Sequence, residues 1–84
     1  MVISTSLEDP QLGKATRISV SMPLRGKELS LIAEAILPDG GDAPVFKYHT
    51  PSELTHAEAW EFSRQQILLL AAAKRHIDGR RAKG

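Results

Sequence analysis

The sequence predicts an α+β fold: a three-stranded antiparallel sheet in β-β-β-α order, with one long C-terminal helix packed on one face. Three observations predict it. "TRISVSMPL" alternates apolar and polar residues with the period of a half-buried strand. The Gly- and Pro-bearing segments "LRGKE" and "PDGGDAP" then set off two further apolar runs. From Thr55 to Ile77 no Pro or Gly interrupts a helical pattern.

The domain itself is expected over residues 15–79. Residues 1–14 read as a flexible N-terminal arm, because Pro10 and Gly13 interrupt the spacing of Val2, Ile3, Leu7 and Leu12. Residues 80–84 read as a disordered basic tail. They follow Gly79, which stands where a left-handed residue closes a helix.

In the first strand Ile18, Val20, Met22 and Leu24 point one way, and Arg17, Ser19 and Ser21 the other. Pro23 cannot donate to a ladder, so it belongs at an edge or a strand end. Gly26 can take the left-handed conformation that closes a short hairpin. The next run, "ELSLIAEAIL", is ambiguous. Glu, Leu and Ala favour helix, and Leu29, Ile32, Ala33 and Ile36 would form its stripe. The preceding strand and glycine turn, with no helix cap between, favour a strand, and we adopt that reading. Ile32 and Ile36 then face away from Leu29, Leu31, Ala33, Ala35 and Leu37. "VFKYHT" follows as a third strand with Phe46 and Tyr48 on one side.

"TPSE" and "THAE" both carry the Thr-x-x-Glu capping pattern. Two starts five residues apart predict a short turn over 51–54 and a main helix from about residue 56. At about 100° per residue, Ala59, Trp60, Phe62, Ser63, Ile67, Leu69, Leu70, Ala73 and Ile77 share one broad face. Glu61, Arg64, Gln65 and Arg75 fall opposite, with Leu68 and Ala72 among them.

Composition narrows the functions. Eighty-four residues make one small domain that buries only roughly 60–65% of its unfolded surface. With no cysteine, disulfides and thiolate zinc sites are excluded, which leaves tight packing or oligomerisation as the stabiliser. No run approaches the ~20 apolar residues of a spanning helix, since "ILLLAAA" is the longest. "MVISTSLEDP" lacks the basic start and apolar stretch of a secretory signal, so a cytoplasmic protein without membrane contact is expected.

The formal charge of +1 is unevenly laid out. The last eleven residues carry five basic side chains against Asp78 alone, whereas Glu53, Glu58 and Glu61 stand at the helix start. Both ends thus match the helix dipole. Arg75, Arg80, Arg81 and Lys83 are the candidate polyanion contacts, and a weak nucleic-acid binder is the alternative function they suggest.

The signals for catalysis are poor. No nucleophile elbow or phosphate-cradling loop is present, and no cofactor motif either, so the chain reads as non-enzymatic. His49, Glu53 and His56 have zinc-ligand chemistry, but Pro51 breaks the helical spacing that would align them. The leading expectation is a small interaction or regulatory module. It would form a homodimer through a sheet face that one helix leaves uncovered, with Ile32, Ile36, Phe46 and Tyr48 as the candidate surface. The alternative is a monomer whose N-terminal arm covers that surface.

Overall fold

The computed structural model describes residues 2–24, 28–41 and 43–83, with side chains as far as residue 79. Four strands precede one helix: β1 (Val2–Asp9), β2 (Gly13–Pro23), β3 (Leu29–Pro38), β4 (Val45–Tyr48) and α1 (His56–Lys83). The strands form one antiparallel meander in the order β1-β2-β3-β4. The α+β class and the long C-terminal helix are as expected, but the sheet has four strands instead of three. The additional strand is β1, where a flexible arm was expected.

The cause lies in "DPQLG". Asp9 Oδ1 accepts from the backbone N–H of Gln11 (2.8 Å) and of Leu12 (3.0 Å). Pro10 presets the next φ, and Gly13 at φ +74° takes the left-handed position opposite Asp9. The two residues that break any periodicity therefore close a hairpin. Its ladder then runs without a slip from Asp9↔Gly13 to Val2↔Val20.

The run 29–38 is a strand, as its neighbours predicted. It carries one irregularity. Val20 pairs with Ala33 but Ser21 pairs with Leu31, which leaves Ile32 as an extra residue in a β-bulge. Alternation stops there, so Ile32 and Ala33 are both fully buried in the same cluster. Gly26, the expected closer of this hairpin, lies outside the described residues.

Residues 51–54 form no helical turn, and α1 begins after the second capping pattern. Thr55 N–H donates to Glu58 Oε1 (2.9 Å) and Glu58 N–H donates to Thr55 Oγ1 (3.2 Å), a reciprocal capping box. At the other end α1 does not stop at Gly79, and the backbone of residues 80–83 is helical where a disordered tail was expected. One glycine costs a helix only about 1 kcal/mol, and Arg, Ala and Lys beyond it are good helix formers.

Residues opposite each other in an antiparallel pair share a face. Ile18, Val20, Met22, Ala33, Ala35 and Leu37 line the face beneath α1, joined there by Ile32, Leu69 and Ala73. Leu24, Phe46, Phe62, Ala72 and Ile77 close the margin. The helix face differs from the expected one. Phe62, Leu69, Ala73 and Ile77 do face the sheet, but Trp60, Ile67 and Leu70 point to solvent. Gln65, expected outside, is buried, and its Nε2 donates to Glu61 Oε2 at 2.7 Å. The run 67–73 is apolar around most of the helix, so its pattern leaves the rotation about the axis open, and the sheet selects one side.

Two outcomes follow from this packing. Leu69→Ala should lower stability by roughly 2–5 kcal/mol in urea unfolding, whereas Ile67→Ala, at dilute protein, should change it by less than about 1 kcal/mol. The Gln11 and Leu12 amides hold the Asp9 carboxyl below its ordinary pKa, with Lys47 adding a smaller lowering and burial opposing it. Its stabilising effect is then complete above the ordinary aspartate value and lost as pH falls through the depressed one. Thermal unfolding from about pH 6 to about pH 2 should show wild type losing its advantage over Asp9→Asn at the acid end.

Candidate interaction surfaces

The outward face of α1 exposes four large hydrophobic side chains, Trp60, Ile67, Leu68 and Leu70. Taking Trp60 as the zero of rotation, Ile67 and Ala71 fall within about 20° of it, with Ser63 and Leu70 to one side and Arg64 and Leu68 to the other. The sheet-facing residues Phe62, Leu69 and Ala73 lie on the opposite side of the same turns. Trp60 is 73% exposed and Ile67 66%, and Leu68 and Leu70 are exposed as well. Trp60 also borders an open groove of about 410 Å³ with Leu54, Thr55, His56, Ala59 and Ser63. Large side chains aligned over three turns are a patch, unlike the scattered single exposures any surface shows.

The face of the sheet away from α1 has a different character. Arg17 donates from Nε (2.9 Å) and from Nη2 to the same oxygen, Oε2 of Glu34. The side chains are 35% and 11% exposed, so the pair is partly buried at the centre of that face. Lys47 stands opposite Glu34 in the ladder, and Ser19 lies on its other side. Ile3, Leu31 and Val45 are exposed around this polar centre. A partner seated here would have to desolvate an ion pair, which seldom repays its cost.

The four residues expected to form one surface are separated. Ile32 is fully buried beneath α1 because of the bulge, and Phe46 packs at the edge of the same core. Tyr48 shares the face of Phe46 and is 50% exposed. Ile36 alone belongs to the helix-free face, paired with Arg17 and Val45, and it is buried there.

Among the candidate polyanion contacts, Arg75 is exposed on α1. The side chains of Arg80, Arg81 and Lys83 lie outside the described residues. Lys74 Nζ pairs with Asp78 Oδ2 at 2.6 Å, which offsets part of the positive charge at this end. Trp60, the exposed aromatic of α1, sits fifteen residues from Arg75, roughly 22 Å along the axis, so the pair does not make one base-stacking site. Among the described residues no three His, Asp or Glu side chains gather as a metal site, and His49, Glu53 and His56 do not converge. Among them also, no helix is long and apolar enough to cross a membrane.

One buried polar atom lacks a partner among the described residues: Nε2 of His76, on the sheet-facing side of α1. The outward stripe was hidden in the sequence because its residues were assigned to the core. The signal that could have revealed it is the sheer width of the apolar arc, more than a single sheet face can cover. No protein-family model matches the chain, and no curated protein or solved structure matches it either.

Removing Arg17 alone should cost roughly 1–3 kcal/mol, because it strands a mostly buried carboxylate, while Arg17→Met with Glu34→Leu should be close to neutral. Chemical unfolding of both variants checks the difference.

Proposed function

We propose that this chain is a non-enzymatic interaction module that associates with a second copy of itself through the outward face of α1. The observation that carries the reading is the alignment of Trp60 and Ile67, the two most exposed large hydrophobic side chains of the helix, on the side away from the sheet. Tryptophan is the residue type most enriched among side chains that dominate binding energy. In a domain with so small a core, a paired helix supplies apolar burial that the monomer lacks.

The occupant is a second copy because the helix is complementary to itself when reversed. Glu58 and Glu61 lie in its first turns, and Lys74 and Arg75 near its end. Two such helices, antiparallel and centred on Ile67, bring Glu61 of one copy beside Arg75 of the other on the same flank. Trp60 then meets the stem and ammonium of Lys74, a cation–π arrangement. Ser63 and Ala71 face each other and let the axes approach. The antiparallel dipoles add to the preference.

Trp60 is the single tryptophan, so its emission reports the contact directly. Emission should shift to the blue as concentration rises, in step with a mass increase by light scattering. Ile67→Glu, which keeps the tryptophan, should abolish the blue shift and lower the mass reached. Arg75→Glu should weaken association by roughly 3- to 30-fold, and adding Glu61→Arg should restore much of it, as expected for a close charge pair. If wild type stays monomeric at high micromolar concentration, the proposal fails.

A further inference from the structure

The sheet has two edges, and they are built differently. The β4 edge is four residues long, follows Pro44 and carries Lys47. The backbone N–H of His49, just past its end, still donates to Ile32 O at 2.8 Å. Shortness and a lysine are the usual means of blocking pairing with another chain. The β1 edge has neither. It is eight residues long, its ladder with β2 contains no bulge, and residues 2–7, "VISTSL", contain no charge and no proline. Six of the eight residues of β1 are exposed and Leu7 and Asp9 are half-buried, and among the described residues nothing pairs with its outer edge.

We infer that β1 is a second self-recognition element, which pairs edge to edge with β1 of another copy to make a continuous eight-stranded sheet. A strand that meets its own copy about a two-fold axis must pair antiparallel, and paired residues must lie on the same face. Their numbers therefore sum to an even value. Centring on Thr5 uses the strand best. Thr5 faces Thr5 of the second copy, Ser4 faces Ser6, and Ile3 faces Leu7. Ile3 and Leu7 lie on the helix-free face with Thr5, so an apolar pair flanks each side of the threonine pair. Moving the centre to Ser4 sets Ile3 against Thr5 and leaves Leu7 at the margin. Moving it to Ser6 sets Ile3 against Asp9. Residues 3–7, the stretch centred on Thr5, carry no charge and meet their own copy without repulsion.

The consequence for assembly is geometric, and it rests on the helix pairing proposed above. The two-fold axis between β1 strands is perpendicular to the sheet. The axis between antiparallel helices stacked face to face lies in the plane of the layers, across the helices. Two perpendicular two-fold axes that intersect generate a third and close on four copies. The product is two eight-stranded sheets with four helices between them.

The experiment uses light scattering on the full chain, with circular dichroism to show that each variant folds. Wild type should reach the mass of four copies. Trp60→Glu with Ile67→Glu should stop at two, joined through β1. Thr5→Lys should also stop at two, joined through α1, because it sets two ammonium groups opposite each other. The three substitutions together should give monomers. In the Trp60→Glu, Ile67→Glu background, Thr5→Lys and Thr5→Glu chains should each be monomeric alone and should pair when mixed. That result requires the self-facing position. If the Trp60→Glu, Ile67→Glu chain is already monomeric and Thr5→Lys leaves wild-type mass unchanged, β1 does not self-associate and the helix contact stands alone. If only Thr5→Lys reduces the mass, the helix proposal fails and the β1 inference stands.

Discussion

Leu69 and Ala73 meet a sheet surface kept low by Ala33 and Ala35, and that contact sets the direction of every other residue on α1. A helix cannot turn one side chain inward without fixing the rest at about 100° steps. With Leu69 inward, Phe62 and Ile77 reach the margins of the core, Gln65 must be buried and bonded, and Trp60 and Ile67 face away. The bulge at Ile32 belongs to the same arrangement. It adds one large aliphatic side chain beside the small Ala33 and Ala35 of the same strand, next to the helix that needs it.

The outer faces of the molecule differ as a result. On the sheet, the Arg17–Glu34 pair occupies the middle of the helix-free face, where a second apolar layer would otherwise seat. On the helix, no comparable charge lies between Trp60 and Ile67, and Arg64 stands to one side with a stem long enough to lie along apolar surface. The exposed apolar residues of α1 thus adjoin one another, whereas Ile3, Leu31 and Val45 are set around an ion pair. The contrast between a short, lysine-bearing β4 edge and a long β1 edge without charge over residues 2–7 follows the same division between guarded and open surfaces.

Much of the fold was legible in the residues, each part for a local reason. The alternation of Ile18, Val20 and Met22 marked β2, and Thr55 with Glu58 marked the start of α1. Two turns were harder. "DPQLG" closes a hairpin through an aspartate acceptor, a preset φ and a left-handed glycine, all visible in sequence, but those residues also erase the periodicity that would mark a strand beside them. Gly79 carried the reverse error: a helix-ending residue type that the chain passes through, because nothing after it prefers another conformation. The expected surface was mistaken at Ile32 for a different reason. A bulge depends on how two strands register, and the alternation of one strand holds no record of it.

The sequence by itself determined the class, the succession of β2, β3, β4 and α1, and the start of α1, because caps, turns and period-2 alternation act over a few neighbouring residues. The tertiary structure alone decided which side of α1 is buried and which face of β3 holds Ile32. Both depend on free energies shared between distant segments. Seven consecutive apolar residues from Ile67 to Ala73 offer the sheet several rotations of similar hydrophobicity, and only the shape of the surface made by Ala33, Ala35 and Ile32 selects among them. The exposed Trp60 is a product of that selection, and so is the surface on which the proposed function rests.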